Sequence, residues 1–418
     1  MKSPFAALLS ILLSLTVGSV GQNARPIVWT GSWAASQQIP EPQNLAPAGA
    51  LAYAELRQVV HLSLGGSALR LHLSNAFGRG PLHLAQVHIA LPGSTGGSSI
   101  SLKTDRAVLF NGGPDVVLPA GAEYLSDPVE MPVTPLADLV VTIETMDAPQ
   151  VQTGHPGSRA TSYLTHGASV SAVSLPGATP LEHWYLLSGV DVQSTPESAA
   201  IVTLGDSITD GHGATTNGND RWPDQLARRL QAAPGTRYLA VLNQGIGGNH
   251  LLTDGLGPSA LARFDRDVLA QTGVRYAIVL EGVNDLGDAT RNEDISPEAH
   301  DALVTGILGA YMQMIQRAHA HGLLIYGGTL TPYAGSAYYH PGPASEADRL
   351  KINRWICGKG HFDACIDFSG AIADPAHPEH LLARFDSGDH LHPSPAGYAA
   401  MAASVPLALF SKRYERVE

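Results

Sequence analysis

The sequence predicts an α/β fold: a parallel five-stranded sheet with helices on both faces, preceded by an antiparallel β-sandwich. Three observations carry that expectation. In the first half, apolar and polar residues alternate with a period of two, the pattern of half-buried strands. Beyond residue 198, short apolar runs are separated by stretches with helical spacing, the pattern of strand–helix–strand units. The chain has 418 residues, longer than one ordinary core and comfortable for two domains.

In the first half, "VVHLSLGGSALRLHL" (59–73) is the clearest piece. Val60, Leu62 and Leu64 alternate with His61 and Ser63, and Leu69, Leu71 and Leu73 alternate with Arg70 and His72. Gly65-Gly66 lies between them, so the stretch predicts a hairpin. Val87, Ile89 and Leu91 repeat the pattern, and "LVVTIE" (139–144) is a further strand. No strong helix is expected between residues 26 and 190. The domain expected here spans 26–192.

"QSTPES" (193–198) is polar and contains proline, and reads as a link. The second domain is expected over 199–418. Its strands are "AIVTL", "YLAVLN", "YAIVLE", "LLIYGGT" and "ACIDF". Helices are expected at "WPDQLARRL", "SALARFDRDVLA", 297–320, "EADRLKINRWI" and "SPAGYAAMAA". In the long helix Leu303, Ile307, Tyr311, Met314, Ile315 and Ala318 fall on one face. Strands separated by helices form parallel sheets, and function gathers at the carboxyl ends of their strands.

Composition narrows the function. The net charge is −12, which argues against nucleic acid and against an anionic membrane surface as partners. Lys2, the apolar run "FAALLSILLSLTV" (5–17) and the small residues "GSVGQ" form a signal-peptide pattern over 1–21. The mature protein is therefore expected to be secreted or periplasmic, without a membrane anchor. The two cysteines, Cys357 and Cys365, suggest a bridge in an oxidising compartment, with two free thiols as the other reading. Eighteen histidines include no H-E-x-x-H or comparable cluster, so neither metal nor cofactor is expected. The oligomeric state is not readable.

The strand ends carry the chemistry. "GDS" follows the first strand, "QGIGGNH" the second and "GVND" the third, and a loop after the fifth leads to "SGDHLHP". Acyl transfer needs these residue types. A serine hydroxyl is a weak nucleophile until a base takes its proton, and histidine is that base near neutral pH. A carboxylate fixes the imidazole, and N–H donors meet the oxygen on which charge develops. Asp389 lies three residues before His392; His390 is the competing imidazole, but adjacent residues point apart. Each motif also has a plainer reading. "GDS" and "GVND" are ordinary turns, "GDHLHP" is a helix-start motif, and "GIGG" lacks the G-x-G-x-x-G phosphate spacing. "LGDS" is not the G-x-S-x-G elbow.

Taken in order, these four blocks resemble the SGNH, or GDSL-type, hydrolases, over roughly residues 198–410. The resemblance implies a flavodoxin-like arrangement of the sheet, with Ser207 as nucleophile, His392 as base and Asp389 as its orienter. It implies an oxyanion hole from the Ser207 N–H, the Gly248 N–H (five residues after Asn243) and the Asn284 side chain. Ile208 stands where the family name has leucine. The front domain, with "GSWAAS", "LSNAFG" and "SDPV", is similar to the β-rich domain of a secreted bacterial subgroup, which implies a jelly-roll-like sandwich. The activity expected is a secreted serine esterase acting on an acylated small molecule or polysaccharide, removing short acyl groups such as acetyl from carbohydrates. A lipase or lysophospholipase with the same triad is the alternative, and a non-catalytic polysaccharide-binding protein is the reading of another class. Tyr333, Tyr338 and Tyr339 in "TPYAGSAYYHPG" are candidate sugar-stacking residues or loop packing. Asn249 and His250 are candidate substrate contacts or a polar loop network, and Arg221 and Trp222 read equally well as packing.

Overall fold

The alternating residues of the first half build two facing antiparallel sheets. In this computed structural model residues 1, 27–93 and 97–411 are described. The segment read as a signal peptide, Met1 apart, lies outside the described residues.

One sheet orders Val28–Ala34, Leu187–Ser194, Gly66–Ser74 and Glu123–Leu125, with Val129–Val133 also on Gly66–Ser74. The other orders Thr179–Leu181, Ser162–His166, Ala54–His61, Asp138–Thr145 and Leu82–Ala90. Arg106–Val108 and Val116–Leu118 both pair with that last strand. Leu69, Leu71 and Leu73 from one sheet and Leu56, Val60, Val141 and Ile143 from the other are buried in the same core. Period-two alternation puts them there, because every second side chain faces inward.

Two expectations are corrected. Ala54–His61 and Gly66–Ser74 do not pair as a hairpin; they lie in different sheets. Gly65 and Gly66 let the chain cross between sheets at close range. A Cβ on Gly65 would lie 2.6 Å from the Val133 carbonyl oxygen, and one on Gly66 2.5 Å from that of Gln193. The stretch 193–198 is not all link either. Gln193 and Ser194 complete a strand opposite Trp29 and Val28.

The second half forms a parallel sheet in the order Leu239–Gly245, Ala199–Gly205, Val274–Leu280, Leu324–Gly328, Ala364–Ile366. In chain order this is 2-1-3-4-5, the flavodoxin-like arrangement, with helices on both faces. Trp222–Ala232 packs with Pro395–Ser404, and Pro297–Ala320 with Pro343–Ile356. Their starts follow from sequence: Ser296 and Ser394 accept the backbone N–H of Ala299 and Gly397, and a proline opens each helix. The expected helix at 259–270 is α-helical only over Ala260–Phe264 and continues as a π-turn over Asp265–Leu269. Among the described residues no helix is long and apolar enough to cross a membrane.

The two halves touch along a seam. The Gly31 N–H donates to the Thr272 carbonyl at 2.9 Å, and the Val241 N–H to Ser63 Oγ at 2.9 Å. A Cβ on Gly31 would meet Leu242 Cδ1 at 2.9 Å. The strand Val28–Ala34 therefore packs along Leu239–Gly245, with the Leu242 side chain filling the space that a side chain at Gly31 would take.

Candidate active site

Ser207 is the first residue of a one-turn helix, Ser207–Asp210, that follows the strand Ala199–Gly205 with only Asp206 between. Asp206 caps this helix by accepting the Ile208 N–H at 2.9 Å. Gly205 must be glycine, since a Cβ there would lie 2.4 Å from the Leu280 carbonyl oxygen. Asp206 is fully buried, and burial pushes its carboxyl up to about 7 even though the Ile208 N–H favours the charged form.

The Asp389 loop arrives from the far end of the chain. Asp389 Oδ1 accepts the backbone N–H groups of Leu391 and His392 at 3.0 and 2.8 Å, which closes a tight local turn. Asp389 Oδ2 is then 2.6 Å from His392 Nδ1, and His392 Nε2 is 2.8 Å from Ser207 Oγ. Partial burial opposes the charge on Asp389, but the His392 ring and backbone hydrogen bonds outweigh it and hold the carboxyl well below the usual carboxylate range. His390 points elsewhere: its Nδ1 sits 2.6 Å from Asp386 Oδ2, and it is exposed. Hydroxyl, imidazole and carboxylate thus form one line of contacts, with which a hydroxyl can pass its proton to a ring stabilised by an anion.

Donors lie beside that line. The Ser207 N–H, at a helix start, has no intrahelical acceptor. Gly248, at φ +71°, presents an N–H that no protein group engages among the described residues. A Cβ on it would lie 2.4 Å from Leu256 Cδ1. Asn284 stands at the start of the helix Val283–Thr290, after Gly282 at φ +119°. Its Nδ2 donates to the Asn249 carbonyl at 2.6 Å, and its Oδ1 accepts from the Tyr339 hydroxyl at 2.6 Å. Asp285 accepts the N–H groups of Leu251 and Leu252 at 2.7 and 3.0 Å, which ties the "GVND" turn to the glycine loop.

These groups open onto a cleft of about 1220 Å³. The second half of the chain lines one side with Ser207, His212, Gly248, His250, Asn284, Tyr338 and His392. The front domain lines the other with Gln38, Glu41, Asn44, Arg159, Glu182 and His183.

The remaining expected contacts divide. His250 borders the cleft with its Nε2 2.8 Å from Asp288 Oδ2. Tyr338 is half-exposed there, with the Arg291 guanidinium 3.8 Å above its ring. Asn249 and Tyr333 are corrected, as both are buried and neither lines the cleft. The Asn249 amide is used up by the Leu256 and Pro258 carbonyls and by Arg263 Nε. Tyr339 turns inward to hold Asn284 rather than outward to stack. Arg221 and Trp222 are buried as helix-start packing. Cys357 and Cys365 form a disulfide that joins the end of the helix Pro343–Ile356 to the strand Ala364–Ile366, away from the cleft-lining residues.

Sequence reasoning missed four residues. His212 lies five positions after Ser207, and its ring centroid is 4.0 Å from that of His392. Its place inside the "GDSITDGHG" stretch was a readable signal. Asp210 accepts the Gly247 N–H at 3.1 Å and lies 2.9 Å from His155 Nε2 of the front domain. Arg159, also from the front domain, reaches His212 Nδ1 at 3.1 Å. Nothing in the sequence links residues 155 and 159 to residue 207. Ligand-capable atoms of His212, Asp389 and His392 lie within 4.8 Å of one another, but the His392 ring is already engaged by Ser207 and Asp389.

Residues 203–400 match the model of the GDSL-like Lipase/Acylhydrolase family. This half of the chain belongs to that family. The protein is a carboxylic ester hydrolase, and Ser207, Gly248, Asn284, Asp389 and His392 all fall within its GDSL-like domain. Among solved structures, a GDSL-like lipase from Bacteroides thetaiotaomicron is 16% identical, covers 52% of this chain and 91% of its own, and has a TM-score of 0.37. The aryl esterase of M. smegmatis is 13% identical, covers 51% of this chain and 99% of its own, and has a TM-score of 0.38. No curated protein matches the chain.

Proposed function

We propose that this GDSL-like hydrolase is an exported serine esterase that removes short acyl groups, acetyl foremost, from carbohydrates. One observation carries the catalytic reading: the unbroken line Ser207 Oγ–His392 Nε2–Asp389, at 2.8 and 2.6 Å, at the edge of a cleft. In the reaction, Ser207 Oγ attacks the ester carbonyl as His392 Nε2 takes its proton. Asp389 keeps the Nδ1 proton in place and stabilises the imidazolium. The carbonyl oxygen gains charge and is met by the Ser207 and Gly248 N–H groups and by the second N–H of Asn284. The tetrahedral intermediate collapses, the sugar oxygen leaves with the proton from His392, and an acyl-serine remains. Water, deprotonated by the same ring, then releases the acid and restores Ser207.

The cleft supports a polar alcohol. Gln38, Glu41, Asn44, Glu182 and His183 face it from the front domain, beside apolar and aromatic groups such as Pro156, Leu256, Tyr338, Tyr339 and Leu391. Tyr338, half-exposed with the Arg291 guanidinium over its ring, is the aromatic side chain at the cleft edge that a sugar would meet. The signal-peptide pattern and the disulfide both suit an oxidising compartment outside the cytoplasm. The test is a chain-length series of 4-nitrophenyl esters beside acetate release from acetylated polysaccharides, with Ser207→Ala as control. Preference for acetyl over decanoyl and measurable acetate release are expected. Activity climbing steeply towards decanoyl would favour a lipase, and wild-type turnover in Ser207→Ala would remove Ser207 from the reaction.

A further inference from the structure

We infer that His212 is a positioning residue for the His392–Asp389 pair, and that Arg159 of the front domain fixes which of its nitrogens carries the proton. The inference rests on the reading of Ser207, His392 and Asp389 as the reacting line.

His212 stacks obliquely on His392, at 4.0 Å between centroids and 41° between planes. Its Nε2 lies 3.9 Å from Asp389 Oδ2, the oxygen that holds His392. Its Nδ1 lies 3.1 Å from Arg159 Nη2. A guanidinium only donates. Nδ1 must therefore be the acceptor, and the single proton of the neutral ring sits on Nε2, on the Asp389 side. Arg159 thus selects the tautomer whose N–H faces the carboxylate.

The backbone around this ring is tied to the nucleophile. The His212 N–H donates to the Ser207 carbonyl at 2.9 Å, and the Tyr398 hydroxyl donates to the His212 carbonyl at 2.5 Å. Gly211 and Gly213, at φ +102° and +86°, let the chain fold back so tightly. Arg159 is equally well placed. It stands at φ +48°, a left-handed conformation that a non-glycine residue holds only when its surroundings impose it. Before it, His155 Nε2 meets Asp210 Oδ1 at 2.9 Å; at it, the Asn217 N–H donates to the Arg159 carbonyl at 2.8 Å. Among the described residues Arg159 makes no salt bridge, so no carboxylate competes with His212 for its guanidinium.

The arrangement has a chemical reason. His392 becomes a cation when it takes the serine proton, and a second charged imidazole against its face would oppose that step. Half-buried, and beside His392 and Arg159, His212 is pushed down to about 4. It stays neutral where the enzyme must work. The charged and titratable groups around the two rings are Arg159, Asp389, Asp210, Asp206 and Tyr398, and Arg159 is the one fixed cation among them.

The test uses the full chain and 4-nitrophenyl acetate. Nitrogen-15 NMR of labelled histidine, with His212 assigned by its loss in His212→Gln, should find its proton on Nε2 between pH 5 and 8. His212→Ala removes the ring packed on His392 and should lower kcat roughly 3- to 10-fold, the size of one aromatic ring pair, with KM within about twofold. Arg159→Gln removes the fixed cation and should let His212 take up a proton at higher pH. The acid limb of its kcat/KM profile should then move up and steepen, while Arg159→Lys stays close to wild type. A proton on Nδ1 of His212, or an Arg159→Gln profile that overlies wild type, overturns the inference. If His212→Ala does not fold, the NMR tautomer and the Arg159→Gln profile decide. Ser207→Ala separates the two readings: retained turnover overturns the reacting line itself, whereas lost turnover with unaffected His212 and Arg159 variants overturns only the positioning role.

Discussion

Asn284 gives the most direct test of the charge-stabilising site. One of its two amide hydrogens goes to the Asn249 carbonyl at 2.6 Å, and its oxygen is held by the Tyr339 hydroxyl at 2.6 Å. In the proposed reaction the second hydrogen is the one that meets the developing oxyanion. Asn284→Ala deletes that donor and should raise the barrier by about 2.7–4 kcal/mol, roughly 10²–10³ in kcat. Tyr339→Phe keeps the amide and removes only the hydroxyl that orients it. That is one neutral hydrogen bond, about 0.5–1.5 kcal/mol, so roughly 2- to 13-fold in kcat. The two variants should therefore be ordered, with Asn284→Ala much the slower and KM nearly unchanged in both. Steady-state hydrolysis of 4-nitrophenyl acetate measures this. Urea unfolding must accompany it, because Asn284→Ala also strips the buried Asn249 carbonyl of its partner, at about 1–3 kcal/mol of stability. A loss below tenfold in Asn284→Ala, or a Tyr339→Phe defect as large as that of Asn284→Ala, would refute the assigned role.

Three further predictions follow from burial and close contact. Asp206 is raised from 3.8 to about 7, so between those values the folded state holds more protons than the unfolded one. Its contribution to stability is therefore lost as pH rises from about 4 to about 7, by up to about 4 kcal/mol. Asp206→Asn keeps a capping oxygen and cannot ionise, so unfolding free energies at pH 5 and pH 8 should differ less than in wild type; an equal or larger difference would show that Asp206 is charged in the fold. A Cβ on Gly157 would lie 1.7 Å from Asp210 Oδ2. Gly157→Ala should displace that carboxylate from His155 and Gly247, lowering stability by about 1–3 kcal/mol and reducing kcat; a thermal melt and rate equal to wild type would contradict this. Replacing both cysteines by serine reopens a link between residues eight apart and should cost about 2–3 kcal/mol in urea unfolding. The kcat should be unchanged, because the bridge lies away from the cleft; a large loss of rate would argue against that separation.

What the sequence revealed, and what it hid, follows one physical division. The parallel sheet was legible because buried strands are short apolar runs, and their ends because glycine, asparagine and aspartate are the residues that turn a chain sharply. His392 was preferred over His390 because neighbours on a loop point apart, and the Asp386 contact of His390 gives that preference a physical cause. Partnership was not legible. Alternation says which side chains face inward, not which strand lies alongside. The Gly65-Gly66 stretch therefore looked like a hairpin although it carries the chain between sheets. Three tyrosines in one loop look alike in sequence. Only packing distinguishes the buried Tyr333, the orienting Tyr339 and the half-exposed Tyr338. Arg159 and His155 had no signal, because their partners His212 and Asp210 lie more than fifty residues further along the chain.

The front domain is part of the active-site structure rather than an appendage to it, and Arg263 makes the case. Its guanidinium is fully buried. Nη1 donates to Ser36 Oγ of the front domain at 2.9 Å, to the Gln244 carbonyl at 2.6 Å and to Asp267 at 3.0 Å. Nη2 donates to the Gly205 carbonyl at 3.0 Å, and Nε to Asn249 Oδ1 at 2.9 Å. Gly205 lies two residues before Ser207, and the Asn249 carbonyl holds the Asn284 amide. One cation therefore braces the peptide leading to Ser207, the residue that orients Asn284 and the strand entering from the front domain. A buried charge tolerates the loss of a partner poorly, because what remains is unpaired in a medium that cannot solvate it. Ser36 Oγ also lies 2.7 Å from Gln244 Oε1 and 2.9 Å from Asp267 Oδ2, and its one hydroxyl proton is available to either. With Ser36 on Arg263, His155 on Asp210 and Arg159 on His212, the front domain meets the surroundings of Ser207 at three points. The geometry around Ser207 is thus set jointly by both halves of the chain, and an account of its specificity has to begin from both.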